Sequence, residues 1–245
     1  MEKIWKRIDF MRLDKLLANM GYGTRKEVKK LLKTGVVRVD EEIIKDPKQH
    51  VNTEQNQVTV HEEIVEYREF IYLMMNKPAG VISATEDEDD ETVIDILIPD
   101  DQVFEPFPVG RLDKDTEGLL IITNDGKLAH HLTSPKHHVP KTYFANINGV
   151  VTEEDVHAFE KGVTLDDGYE TKPGELTILS SDEVSEIELT IHEGKFHQVK
   201  RMFEAVGKQV VYLQRIQMGD IHLDRDLEPG EYRELTAEEV DILHK

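Results

Sequence analysis

Leu13, Leu16, Leu17 and Met20 recur at helical spacing and Gly21 follows them, which predicts a short helix stopped by the glycine. Thr24 with Glu27 three residues later forms a capping-box signature, and Val28, Leu31 and Leu32 then mark the apolar face of a second helix ending at Gly35. Val36, Val37 and Val39, and later Gln57 to Val60, read as short strands. The polar stretch 61–69 reads as a linker. Beyond it, Phe70 to Met75 is an apolar run suited to a buried strand, and Lys77-Pro78-Ala79-Gly80 breaks it. Thr92 to Leu97 predicts a short helix, and Leu119 to Thr123 a strand closed by the turn signal Asn124-Asp125-Gly126. Thr142 to Asn148 and Ser185 to His192 alternate as strands do. Helices are predicted from Thr152 to Lys161 and from Phe196 to Val206, the latter with Val199, Met202 and Phe203 on its apolar face. Gln209 to Arg215 predicts another strand, and Thr236 with Glu239 caps a last short helix. Strands and helices are mixed without a regular β-α-β beat, so the expected class is α+β.

Composition narrows the chemistry. Hydrophobic residues make up 38% and charged residues 33% of the 245, enough apolar material for a core and too much for a disordered chain. No run approaches 18 apolar residues, so no membrane span is expected, and MEKIWKRIDF lacks the apolar core of a signal peptide. The absence of cysteine excludes disulfides and thiol nucleophiles and suits a reducing cytoplasm. A net charge of −20 argues against a nucleic-acid partner until its distribution is considered. Residues 1–50 hold 13 Lys/Arg against 8 Asp/Glu, and the remaining 195 hold 17 against 42. A small basic module therefore precedes a large acidic one. On the second helix Lys26, Lys29, Lys30 and Lys33 fall within about 100° of arc. Such a face is either solvated surface or a phosphate contact, and its single sign in the one basic region favours the contact.

Two segments carry candidate chemistry. In Gly110-Arg111-Leu112-Asp113-Lys114-Asp115-Thr116-Glu117-Gly118, two glycines bracket a charged loop that runs into an apolar strand. An aspartate held there can act as nucleophile or general base, and turn-forming aspartates are a common alternative. In Glu193-Gly194-Lys195-Phe196-His197-Gln198-Val199-Lys200-Arg201-Met202, a glycine turn enters a helix whose polar face carries His197, Lys200 and Arg201, cations unusual in an acidic region. The pairs His130-His131 and His137-His138 chelate poorly, because adjacent side chains diverge, so no metal is expected.

GRLDKDTEGLL resembles the catalytic-loop motif of RNA pseudouridine synthases, NKPAG at 76–80 their preceding motif, and KTY at 141–143 and EGKFHQVKRMF at 193–203 their later two. SPKHHVPKTY at 134–143 is most similar to the ribosomal small subunit pseudouridine synthase A family. Residues 12–40 resemble the S4-like RNA-binding module, while residues 1–10 lie outside the pattern, so a start at Met11 fits the family better. The resemblance implies an RNA-binding module over 11–60, a linker over 61–69 and a catalytic domain over 70–245 with a mixed, mostly antiparallel sheet. It implies that Asp113 is the nucleophilic carboxylate, that Tyr143 stacks on the flipped base, and that Lys200 pairs with Asp113. It implies RNA contacts for Arg12, Arg25, Lys26, Lys29, Lys30, Lys33, Arg111 and Arg201. The implied reaction isomerises a uridine of ribosomal RNA, in 16S RNA first and in 23S RNA as the alternative, with no cofactor. The implied enzyme is a cytoplasmic monomer acting on a small-subunit assembly intermediate. A non-catalytic RNA-binding assembly factor would keep the lysine face and lack the isomerisation.

Overall fold

A computed structural model describes residues 10–245, so what was read from residues 1–9 falls outside it. The chain divides into two compact units, one of residues up to Ile71 together with Leu97–Pro106, the other of Tyr72–Ile96 and Phe107–Lys245.

The first unit contains β1 (Met11–Arg12), α1 (Leu13–Asn19), α2 (Arg25–Thr34), β2 (Val37–Val39), β3 (Glu42–Ile43), β4 (His50–Val51), β5 (Val58–Val60), β6 (Glu63–Ile64) and the four-residue α3 (Pro99–Gln102). The capping box forms as the sequence predicts: the Thr24 hydroxyl accepts from the Glu27 amide at 3.4 Å, and the Glu27 carboxylate accepts from the Thr24 amide at 2.8 Å. Gly35 ends α2 in the left-handed conformation, φ +81°, where glycine carries no Cβ penalty. The apolar stripes of both helices meet β2, β4 and β5 in one cluster that includes Leu13, Leu16, Leu17, Val28, Leu32, Val37, Val51 and Val58. The sheet order is β3-β2-β5-β6, all antiparallel. Its edge strand β6 lies inside the stretch 61–69 expected to be a linker.

Asp14 is fully buried on α1 between two guanidinium groups, accepting from Arg12 at 2.8 and 3.1 Å and from Arg25 at 2.8 Å. Burial works to raise its carboxyl, but the Arg25 and Arg12 hydrogen bonds and charges outweigh it and hold the group below the usual range. Lys26, Lys29, Lys30 and Lys33 are all exposed on α2.

The second unit is built on a sheet containing β7 (Tyr72–Lys77), β8 (Phe107–Pro108), β9 (Glu117–Thr123), β10 (Lys141–Asn148), β11 (Glu175–Ser180), β12 (Val184–Ile191), β13 (Gln209–Met218), β14 (Ile221–His222) and β15 (Tyr232–Glu234). Its order is β11-β12-β10-β13-β9-β7-β15, with β14 beside β13 and β8 beside β9. Among these pairings only β13 with β9 is parallel, so the mixed, mostly antiparallel α+β architecture stands as expected. Helices α4 (Gly126–Thr133), α5 (Glu153–Lys161), α6 (Gln198–Ala205) and α7 (Ala237–Leu243) complete it. At the parallel crossing a Cβ on Gly118 would lie 2.3 Å from the Arg215 carbonyl oxygen, and φ is +102°, so only glycine fits.

Two local expectations need correction. Thr92 to Leu97 is a closed turn, not a helix: Asp95 takes the Thr92 amide and hydroxyl, both at 2.8 Å, and Thr92 bridges to Ile82. Asn124-Asp125-Gly126 is the start of α4, not a hairpin turn. The Asp125 carboxylate accepts from the Lys127 and Leu128 amides and is itself held by the buried Tyr72 hydroxyl at 2.9 Å.

Candidate active site

The loop between β8 and β9 carries Asp113, and its backbone is pinned from several directions. Lys77, at the end of the fully buried strand β7, donates from Nζ to the carbonyls of Pro78 and Thr116, each at 2.9 Å, and of Lys114 at 3.4 Å. The Gly80 amide donates to the Lys114 carbonyl at 2.7 Å. Ser83 both donates to the Leu112 carbonyl and accepts from the Leu112 amide, at 3.0 Å each, and Leu112 is buried. Thr116 closes the turn by donating its amide to the Asp113 carbonyl at 3.0 Å. Burial pushes the Lys77 ammonium down to about 8, against the charges of Asp115, Glu117 and Asp113, which pull it up. The acidic loop 86–91 joins this region through Asp90, which accepts from Lys114 Nζ at 2.5 Å.

Opposite the loop stands the start of α6. Buried Glu193 organises it: the carboxylate accepts from Tyr169 Oη at 2.7 Å, from the Lys172 amide at 3.0 Å and from Gln198 Nε2 at 2.7 Å. Gln198 Oε1 in turn accepts from the Lys195 amide at 2.9 Å. His197, the residue before α6, takes a left-handed conformation with φ +48°, which costs a non-glycine residue energy and here turns its ring toward the loop.

The side chain of Asp113 is 28% exposed and faces two nitrogens, His197 Nε2 at 3.5 Å from Oδ1 and Lys200 Nζ at 3.4 Å from Oδ2. The expected Lys200 contact is thus present, although its shortest contact is with Asp115, at 2.6 Å. That hydrogen bond, opposed by burial and reinforced by the ammonium charge, holds the Asp115 carboxyl below its ordinary value. Val199, Met202 and Phe203 bury the other side of α6, which leaves Lys200 directed at the loop.

Arg201 differs from expectation. Instead of standing free for RNA, its guanidinium pairs with Asp166 and with Asp167 at 2.7 Å, and Nη1 donates to the Phe196 carbonyl at 3.3 Å. An adjacent helical position points about 100° away from Lys200, toward the acidic loop 165–168 rather than Asp113. These groups line an open pocket of about 430 Å³, walled by Asp166, Asp167, Phe196, His197, Lys200, Arg201 and Glu204.

Tyr143 lies 8% exposed on β10, opposite Leu189 on one side and Arg215 on the other, and Arg215 stands opposite Gly118 of β9. Arg215 is fully buried, donates from Nε to the Leu119 carbonyl at 2.8 Å and leaves Nη2 without a hydrogen-bond partner. Burial, and after it the charge of Arg215, pushes Lys141 down to about 8. Arg111 is exposed on the Asp113 loop. The rings of His131 and His137 lie 4.3 Å apart and tilted by 45°, and no group of three or more His, Cys, Asp or Glu suited to a metal occurs among the described residues.

Lys77, Asp115, His197 and Arg215 escaped the sequence reading as site residues. His197 reads from sequence as a cation of its helix, and Lys77 as part of the strand break and of the NKPAG motif, without a role of its own. No single-sequence signal connects residues such as Asp115 and Lys200, which are 85 positions apart.

The RNA pseudouridylate synthase family model matches residues 71–205, and the S4 domain model matches residues 11–56. An uncharacterized RNA pseudouridine synthase, YtzG of Bacillus subtilis, is 57% identical over 96% of this chain and 99% of its own. Ribosomal small subunit pseudouridine synthase A of Vibrio vulnificus is 43% identical over 96% of this chain and all of its own. Ribosomal large subunit pseudouridine synthase B of Bacillus subtilis is 40% identical over 94% and 93%. A pseudouridylate synthase crystal structure superposes with a TM-score of 0.67 at 37% identity, covering 95% of this chain and 99% of that one. With the synthase model spanning more than half the chain and likeness along nearly all of it, the chain belongs to the RNA pseudouridylate synthase family, in the form that carries an S4 domain.

Proposed function

We propose that this enzyme converts a uridine of 16S ribosomal RNA to pseudouridine, with Asp113 as the nucleophile. The observation that carries the reading is the setting of Asp113: a carboxylate on a backbone pinned by Lys77 and Ser83, facing Lys200 and His197 at the edge of an open pocket. The Lys200 ammonium and the His197 ring face the two oxygens of this carboxylate and orient it for attack. Asp113 attacks the flipped nucleoside and the bond from N1 to C1′ breaks. The detached uracil turns, C5 bonds to C1′, the bond to Asp113 breaks and returns the free carboxylate, the C5 proton leaves and N1 takes up a proton. Atoms and electrons balance without an external reductant or hydrolysis, so no cofactor takes part. Tyr143 stacks on the extruded base. Flipping costs a few kcal/mol, least in loops and damaged helices, which favours a uridine outside regular duplex.

The module of residues 11–60, followed by the stretch 61–69 that carries β6 and by the catalytic domain 70–245, supplies sequence-independent phosphate contacts through Lys26, Lys29, Lys30 and Lys33, while Arg12 and Arg25 beside them hold the buried Asp14. Arg111 holds the strand at the catalytic loop, whereas Arg201 braces the pocket wall. The enzyme acts as a cytoplasmic monomer on an assembling small subunit. No helix among the described residues is long and apolar enough to cross a membrane. The 43% identity to a small-subunit synthase supports the 16S reading, and the 40% identity to a large-subunit synthase keeps 23S RNA as the second one. Mapping pseudouridines in 16S and 23S RNA from a deletion strain, before and after complementation, decides between them. A missing 16S pseudouridine restored by the gene is the expected outcome, and unchanged maps of both RNAs would overturn the reading.

A further inference from the structure

Phe196 is the most exposed of the large hydrophobic side chains described here, at 75%, in a unit that buries its other large aromatic near α6, Phe203, completely. It is not on a loose loop. Its carbonyl accepts from Arg201, and the turn on either side is held through Gln198 and the buried Glu193. Its ring lies on that of His197 with centroids 3.7 Å apart and planes 18° apart. One face of Phe196 is therefore covered, at a spacing close to the roughly 3.4 Å between stacked bases, and the other is open. The covered side leads through the imidazole directly to Asp113. Asp166 and Asp167, which would repel phosphates at this rim, are paired with Arg201.

We propose that Phe196 is a stacking platform for the nucleobase next to the target uridine, a positioning residue that holds the flanking nucleotide while the uridine turns toward Asp113. The proposal rests on the functional reading above. A rigid, half-covered aromatic ring beside cations is what unstacked bases bind, because every base offers a π-face. Lys200 and Lys195, the latter over the Tyr169 ring at 4.3 Å, place positive charge within the same turn.

The test follows once the wild-type uridine is mapped. RNA fragments carry 2-aminopurine in place of each neighbour of that uridine, and binding and single-turnover conversion are measured for wild type, Phe196→Ala, Phe196→Leu and Phe196→Trp. Wild type should quench the probe on one flank. Phe196→Ala and Phe196→Leu should lose that quenching and raise the half-saturating RNA concentration roughly ten- to a hundredfold, the range of one lost base–aromatic stack. The saturating rate and the unfolding midpoint should stay near wild type, and Phe196→Trp should restore both quenching and affinity. Leucine keeps the apolar bulk without the π-face, so a Phe196→Leu enzyme with full quenching and affinity overturns the proposal while wild-type conversion leaves the functional reading intact. A wild type that forms no pseudouridine in either ribosomal RNA removes the functional reading, and the proposal with it.

Discussion

Lys26, Lys29, Lys30 and Lys33 stand exposed along one side of α2, whereas His197, Lys200 and Arg201 at the start of α6 each face a carboxylate. The lysines of α2 belong to a helix whose other side fills a small core, and that helix is held by its capping box and apolar stripe, not by its charges. At α6 the charges are themselves the architecture: Lys200 reaches two aspartates of one loop and Arg201 holds two of another. The difference teaches what each set is suited to. A free lysine can meet a phosphate by releasing counterions alone. A cation already committed to carboxylates orients them and is a poor phosphate ligand unless it is released. The net charge of −20 conceals this division, since the cations that matter are few and placed.

The largest effect should come from the carboxylate the α6 cations face. Asp113→Asn preserves the shape and removes the attacking charge. Single-turnover conversion of ribosomal RNA should fall at least on the order of a thousandfold, as for other lost nucleophiles, while RNA affinity and the unfolding midpoint stay unchanged. More than trace activity would mean that another group attacks.

Next in size is the contrast within α6. Lys200→Ala leaves both Asp113 and Asp115 without their ammonium partner. The pair is partly exposed, so the cost belongs at the level of a charged hydrogen bond, about 1.5–3 kcal/mol, or roughly ten- to a hundredfold in rate at saturating RNA. Lys200→Arg should lose less, since charge survives while reach changes. Arg201→Ala should spare the chemical step. A full-rate Lys200→Ala beside an inactive Arg201→Ala would reverse the assignment of the two.

Much of this contrast was legible in the chain, and what was not has physical causes. The α2 cap, its stripe and its lysine face are local, written within ten residues, and they appear as read. The Asp113 loop was legible as a motif between glycines, and Gly118 turns out to be required by the Arg215 backbone 97 positions later, which spacing could not reveal. Helix α4 was hidden because Asn-Asp-Gly serves turns and caps equally, and only Tyr72, 53 residues earlier, fixes the Asp125 side chain as a cap. Thr92 to Leu97 reads as a short helix, but the Thr92–Asp95 closure and the bridge to Ile82 consume its first turn. The carboxylate partners of Arg201, Asp166 and Asp167, could not be read from the chain because they lie 35 and 34 residues away in a segment with no motif. Local periodicity reads elements well, and it is blind to which carboxylate a cation meets.

The free set should respond differently. Changing Lys26, Lys29, Lys30 and Lys33 together to Gln should weaken RNA binding at physiological salt and flatten the slope of log affinity against log salt by roughly 3, taking about 0.7–0.9 per phosphate contact. The rate at saturating RNA should stay the same, because nothing in the Asp113 loop or α6 changes. An unaltered slope would make the α2 face plain solvated surface and end the division drawn above.

The smallest effect is a pH dependence confined to the second unit. Lys77 and Lys141 are ammonium groups whose burial lowers them from 10.5 to about 8. Between those two values the unfolded chain binds a proton at each site that the folded chain has released, so unfolding free energy must rise with pH across this window and fall as pH drops back through 8. From pH 7.5 to 9.5 each group should add about 1–2 kcal/mol. Urea unfolding of wild type against Lys141→Met and Lys77→Met reads it as a difference, in which histidine and tyrosine contributions cancel. Each variant should lose about half of the shared rise. Lys77→Met should in addition unfold more readily at every pH, because the carbonyls of Pro78 and Thr116 lose their donor and the Asp113 loop its anchor. The α2 lysines, exposed on their helix, should leave the rise untouched when changed to Gln. A rise that disappears with them would place the titrating cations in the wrong unit.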